Sequence, residues 1–324
     1  MDGRLGVGVS NCHPLANVLE TIADAERLGA ESVFVAEDIG CRDSFAICTL
    51  AAQTTSSIHL AVGVANPYTR SPMSLAMAAA TLDEASNGRA ILGLGSSSPE
   101  MLDQLGLAQQ RSLRAMREAT EVVRALLTGA SVTHEGAIFQ YRDSVLAARA
   151  VQPRLPIYFA AMGPQMLRLA GRIADGVILN VGASPAYVRW AVSQVAGGVV
   201  DAERSLSDVT IAAWMSVYRT DRDGQSQERA RQWLARVLSI PRQGELLLQQ
   251  VAHPEGMLDD IRGHVTGYPH AGEARAAARY VPDELLQDMV VVGDAPYVRG
   301  RIEEYRRAGV DLPIVPLSIM RDLG

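Results

Sequence analysis

Apolar residues along this chain fall into two alternating rhythms. Short runs of small and β-branched residues, apolar on both sides of the backbone, take turns with longer stretches whose apolar positions recur every three or four residues. The first pattern suits strands covered on both faces, the second amphipathic helices. Arg4 to Ser10 (RLGVGVS) reads as the first strand; Leu15, Val18, Leu19, Ile22 and Leu28 follow at helical spacing, and Gly29 stops them. Ser32 to Ala36 is a second strand ending in Glu37-Asp38, and Ser44 to Ala52 a second helix. In Ile58 to Arg70 (IHLAVGVANPYTR) a third strand runs until Asn66-Pro67 ends it. Ser71-Pro72 starts a helix through Ala85, Gly88 closes it, and Arg89 to Gly95 gives a fourth strand.

The rhythm then carries an ornament and resumes. Leu113 to Leu127 is amphipathic, and Val132 to Ala147 reads as a hairpin around Glu135-Gly136. Pro156 to Ala161 is a fifth strand, Gly163-Pro164 opens a helix, Asp175 to Val181 is a sixth strand and Val209 to Tyr218 a seventh. From Asp221 to Asp288 the chain is mostly helical and polar, broken at Pro241, Gly244, Pro254, Gly267 and Pro269, and reads as an insertion. Ala295 to Ala308 is a helix capped by Gly309, and Leu312 to Leu317 an eighth strand. Eight strands, nearly all followed by helices, predict an α/β fold, a (β/α)8 barrel with a helical insertion before its last strand. An open doubly wound sheet is the rival, but no GxGxxG follows the first strand. With 324 residues, the chain suits one barrel domain over 1–324, since such barrels take about 250 residues plus insertions.

Composition narrows the function. A hydrophobic share of 48% with 20% charged residues fits a globular chain with a sizeable core. The net charge of −6 argues against a nucleic-acid or anionic-membrane partner, which would need a basic field. No apolar run reaches the roughly 18 to 20 residues of a membrane span. Cys12, Cys41 and Cys48 show no metal-type spacing and no leader precedes the first strand, so reduced thiols and a cytoplasmic location are expected. All 30 basic residues are arginine. Without a lysine amine, Schiff-base aldolase, pyridoxal-phosphate and P-loop chemistry are excluded.

Candidate chemistry gathers at predicted strand ends, where ligands of parallel α/β proteins sit. Asn66, Tyr68, Thr69 and Arg70 offer hydrogen-bonding groups after the third strand, or form an ordinary turn. Glu37 and Asp38 are adjacent carboxylates. Burial and a like-charged neighbour each raise a carboxyl pKa, which makes a proton donor near neutrality. The alternative is that one caps the next helix and the other pairs with Arg42. Gly95-Ser96-Ser97, Gly163-Pro164 and Val181-Gly182 are places where backbone N–H groups could meet a phosphate. His13 is the histidine placed at the mouth; His59, His134, His253, His264 and His270 lie elsewhere and make no HExxH, so no metal is expected. Cys12 is expected as a small buried thiol.

Five stretches together resemble the bacterial luciferase-like superfamily, in particular its deazaflavin-dependent branch typified by methylenetetrahydromethanopterin reductase. They are Ala36 to Asp43, Gly63 to Pro72, Thr81 to Gly95, Pro156 to Asn180 and Val291 to Asp311. The resemblance implies a homodimeric barrel binding coenzyme F420, an 8-hydroxy-5-deazaflavin, with FMN and monooxygenase chemistry as the alternative and a flavin- or partner-binding barrel without turnover as the second. The ring would lie over the third strand, at a non-proline cis peptide that maps to Gly63-Val64, flanked by Ala65 and Asn66. The phosphate-bearing tail would pass Gly95, Ser96, Ser97 and Ser98, then Met162, Gly163 and Pro164, with Val181 beyond. Asp38 takes the acid/base role, Glu37 orients ring or substrate, and His13 makes a secondary contact. Departures are informative: Glu37-Asp38 stands where the pterin reductases carry Asp-His, Gly8 where they carry a first-strand glutamate, Ser98 where a third acid falls, and Ser71 in NPYTRSP for histidine. The implied activity is hydride transfer between F420 and a small organic substrate other than that pterin, at a C=N, C=C or C=O group.

Overall fold

A computed structural model describes residues 4–221, 223–266 and 272–323. Its first half runs β1 (Gly6–Val9), α1 (Leu15–Arg27), β2 (Ser32–Val35), α2 (Ser44–Ala52), β3 (His59–Ala65), α3 (Pro72–Ala85), β4 (Ala90–Leu94), α4 (Pro99–Asp103) and α5 (Ser112–Leu127). The antiparallel hairpin β5 (Val132–Glu135) and β6 (Gln140–Ser144) follows, then β7 (Ile157–Ala160), α6 (Pro164–Ile173), β8 (Gly176–Leu179), α7 (Pro185–Asp201), β9 (Thr210–Trp214) and β10 (Val217–Arg219). Next come α8 (Gln225–Ser239), α9 (Gln243–Leu248), α10 (Met257–Arg262), α11 (Ala274–Ala278), α12 (Asp283–Met289), β11 (Val291–Gly293), α13 (Ala295–Arg307), β12 (Leu312–Val315) and α14 (Leu317–Leu323).

Eight parallel strands close into a barrel in the order β1-β12-β9-β8-β7-β4-β3-β2. Because successive strand residues face opposite sides, alternation builds two cores. Outward residues such as Val7, Val33, Leu60, Leu92, Phe159 and Val177 pack under the helices. Inward residues Phe34, Ala61, Ile91, Tyr158, Ile178, Ala212, Leu312 and Ile314 fill the bore, as (β/α)8 barrels require. All eight sequence-predicted barrel strands are present. Short side-chain caps fix where helices start: Asp43, Ser71, Ser184 and Asp294 accept N–H groups at the N-termini of α2, α3, α7 and α13.

One detail departs from the sequence reading. The seventh strand, expected over Val209 to Tyr218, ends at Trp214; beyond it β10 leaves the barrel and pairs in parallel with β11, Val217 opposite Val291. A continuous β-rich run hides such a break, because periodicity is the same on both sides of it. The region between β10 and β11 is helical as expected, α8 to α12. Gly267, Pro269 and His270 lie outside the described residues. No helix among the described residues is long and apolar enough to cross a membrane.

Candidate active site

At the carboxyl ends of the strands the inward series continues with small residues. Beyond Phe34, Tyr158 and Ile178, the alternation brings Ala36, Ala160 and Asn180 to the mouth of the barrel, and all three are partly exposed. Gly8 takes the corresponding place on β1. On β3 the Gly63-Val64 peptide is cis, and the pairing of β3 with β4 shifts between Val62 and Ala65. Gly63 and Val64 are partly exposed between buried Val62 and buried Ala65. The result is a shelf of backbone and small side chains open at the top of a filled bore. One aromatic stands in this layer: Trp214, at the end of β9, packs with Val64 on the bore residues.

The two carboxylates after β2 have separate fates. Glu37 accepts from Arg70 Nε and Nη2 at 3.0 and 2.7 Å through Oε1, and from the Ser44 N–H at 2.9 Å through Oε2. Arg70 also reaches Asp43 at 2.5 Å. Glu37 therefore ties together the β2 and β3 loops and the start of α2, at the position expected to orient a ring or substrate. The predicted alternative partner, Arg42, instead donates to the Cys12 carbonyl. Asp38 has no cationic partner among the described residues; burial first, and the Glu37 charge second, raise its carboxyl above the usual range. Its backbone is fixed by Asn11, fully buried, whose Nδ2 donates to the Asp38 carbonyl and whose Oδ1 accepts the Asp38 N–H. Asn11 escaped the sequence reading because a polar residue just past a strand carries no periodic signal.

Other expected positions divide between open and spent. Ala65 is buried in the core under the helices, and Asn66, also buried, turns its Oδ1 back onto the N–H groups of Tyr68 and Thr69. With Tyr68 hydroxyl bonded to the Gln110 carbonyl, this loop is a turn rather than a set of free ligands. Gly95 is a glycine because Val64 leans on it: a Cβ there would lie 2.7 Å from Val64 Cγ2. Ser98 caps α4, while the Ser96 and Ser97 carbonyls accept from Gln109 Nε2. Two residues on, in the first turn of α4, Glu100 Oε2 is buried with no hydrogen-bond partner among the described residues. Met162 is held by a 2.6 Å bond from Tyr187 hydroxyl to its carbonyl, and Gly163 forms the N-cap of α6 without a side-chain cap. The Val181 N–H goes to Asn180 Oδ1 at 2.9 Å, and Gly182 is buried, with Val237 and Leu247 against it.

His13 is exposed in the loop after β1. Cys12 is exposed too, and forms a disulfide with Cys41, which corrects the expected buried thiol and removes the cysteine argument for a reducing compartment. The pairing is invisible at a separation of 29 residues until β1 and β2 lie side by side and bring their loops together. Cys48 is the buried free thiol.

Comparison with known proteins agrees with this architecture. A family model described as luciferase-like monooxygenase matches residues 2–312. The 5,10-methylenetetrahydromethanopterin reductase of Methanolobus tindarius is 30% identical over 298 residues, 92% of this chain and 89% of that protein. An F420-dependent glucose-6-phosphate dehydrogenase of Beutenbergia cavernae is 33% identical over 229 residues, 66% of this chain and 68% of that one. The solved coenzyme F420-dependent tetrahydromethanopterin reductase of Methanopyrus kandleri superposes with a TM-score of 0.85 at 26% identity, covering 99% of this chain and 96% of that one.

Proposed function

The chain belongs to the luciferase-like monooxygenase family, and from that premise we propose that it is an oxidoreductase moving a hydride between coenzyme F420 and a small organic substrate. The substrate presents a C=N, C=C or C=O group and is not methylenetetrahydromethanopterin, since Gly8 and Ser98 stand where that reaction's acids would fall. The observation that carries the reading is the shelf: Gly63 and Val64 are open to solvent among small residues, one strand away from an acid of raised pKa.

These residues fit a flat ring. Gly63 and Val64 would lie beneath it, Ser96 and Ser97 beside it, and the anionic tail would pass Met162, Gly163 and Pro164 to meet the first-turn N–H groups of α6, those of Gln165 and Met166. The bound deazaflavin would supply a two-electron hydride with little reactivity toward oxygen. Asp38 would hold or release the proton that accompanies transfer, Asn11 would fix its position, and the Arg70-Glu37 pair would keep the two loops in register. The segment 221–288 would roof the tail, as the approach of Leu246 to Gly163 and of Val237 and Leu247 to Gly182 supports. A second copy of the chain would cover α2 and α3, which pack on each other and leave Leu50 and Met77 48% and 53% exposed.

The test is anaerobic: reduced F420 is mixed with a panel of ketones, imines and enoates and its reoxidation followed, while reduced FMN is assayed in parallel for oxygen consumption. Reoxidation of F420 by a panel member supports the reading, and oxygen consumption with FMN alone refutes it.

A further inference from the structure

Gly8 and Trp214 come from strands two places apart in the barrel, yet they fill one space. A Cβ built on Gly8 would lie 2.5 Å from Trp214 Cζ2 and 2.6 Å from Cε2, well inside van der Waals contact. The same indole reaches β3, diametrically opposite in the strand order: its Cζ3 lies 3.8 Å from the position of a Cβ on Gly63. Trp214 therefore spans the bore from the β1 side to the shelf at Gly63-Val64, and it lies over Phe34 and its neighbours as the floor of the mouth. The indole N–H has no hydrogen-bond partner among the described residues, and the side chain is only partly buried. Any side chain at position 8, an acid included, would displace it.

We propose that Trp214 determines substrate class, and that it selects an uncharged electrophile with a flat apolar body, of the aryl ketone type. The proposal rests on the hydride-transfer reading and deepens it. Three features point this way. Where a first-strand acid would offer charge and two acceptors, the indole offers an apolar face and a single N–H donor. An aromatic face binds a flat apolar group by stacking and by removing both surfaces from water. The rest of the layer, Gly8, Ala36, Gly63, Val64, Ala160 and the neutral amide of Asn180, brings no charge, so an anionic substrate would leave its charge without a cation near the bore.

The experiment uses the full chain, with acetophenone as the flat neutral probe and glyoxylate as the charged carbonyl. Trp214→Ala and Trp214→Phe are compared with wild type for acetophenone affinity by calorimetry and for KM and kcat with reduced F420. Trp214→Ala is expected to weaken acetophenone binding and raise its KM about ten-fold, the scale of one aromatic contact, with kcat within about two-fold. Trp214→Phe should recover most of the loss. F420 binding, measured separately by fluorescence, should persist in all three, so a failure of the hydride reading shows as absent F420 binding in wild type and is told apart. A thermal-stability cycle supplies a readout free of ligand: Gly8→Glu should destabilise wild type strongly and the Trp214→Ala background much less. Tighter binding of glyoxylate than acetophenone by wild type, loss of F420 affinity in Trp214→Ala, or equal cost of Gly8→Glu in both backgrounds would overturn the proposal.

Discussion

Asn11 brackets Asp38: one amide group donates to the Asp38 carbonyl at 3.1 Å through Nδ2 and accepts the Asp38 N–H at 3.2 Å through Oδ1. The same Nδ2 donates to the Arg42 carbonyl at 2.6 Å, so a single buried side chain replaces the backbone pairing that β2 loses where it ends. Asn11→Ala would leave three part-buried backbone groups without this partner, at about 1–3 kcal/mol. We expect a measurable drop in thermal midpoint together with a fall in kcat, while F420 affinity holds. Asn11→Asp, which keeps the acceptor but adds a charge beside Asp38, should shift the pH profile as well; an unchanged profile would show that Asn11 does not position Asp38.

Asp38 itself has a pH signature. Burial and the Glu37 charge raise its carboxyl, so its proton persists to higher pH than an ordinary aspartate's. Substrate reduction that uses this proton should fall as pH rises through the raised value, and Asp38→Asn should abolish that limb and cut turnover by about 100-fold or more. The stability sign runs the other way. A pKa raised on folding means the ionised form opposes the folded state above the unfolded pKa, so Asp38→Asn should stabilise the protein at pH 7 and lose that advantage near pH 3. Calorimetry at the two pH values reads this directly.

Glu26 sets the start of β3. Its Oε1 accepts the N–H groups of Ser56, Ser57 and Ile58 and the Ser57 hydroxyl. Burial pushes its carboxyl up, but the N–H groups of Ser57, Ile58 and Ser56 outweigh it and hold it at about 2. A lowered pKa contributes stability above the unfolded value, lost as pH falls toward the folded one. Glu26→Gln should cost about 1.5–3 kcal/mol at pH 7 and much less near pH 2 in denaturant titrations, because bonds to a charged acceptor are the strong ones. A cost independent of pH would refute the assignment.

The apolar outer face of α2 and α3 predicts assembly. Leu50→Glu combined with Met77→Glu should convert a dimer to a monomer in sedimentation, with the fold retained by circular dichroism. A wild-type protein that sediments as a monomer at micromolar concentration would remove this part of the account.

Much of this was readable in advance because strands and helices here carry unmixed patterns. Runs such as Ser32–Val35 and Gly176–Leu179 are buried on both faces and short, so their place in the barrel wall follows from composition. Trp214, Asn11 and Arg70 were harder. Trp214 sits inside a run that reads as one strand, and its meaning depends on Gly8, more than 200 residues away, being too small to exclude it. Arg70 was visible as a polar loop residue, but its pairing with Glu37 exists only once β2 and β3 are neighbours. The Cys12-Cys41 bond was lost for the same reason. Sequence patterns report the faces of single elements, whereas these features belong to contacts between loops.

The central claim is that the shelf at Gly63-Val64 receives a deazaflavin. Equilibrium titration of the purified protein with F420 and with FMN, each oxidised and reduced, tests it most directly. The account predicts saturable F420 binding about 100-fold or more tighter than FMN, a gap of about 2.7 kcal/mol. Equal affinities, or a preference for FMN, would contradict it.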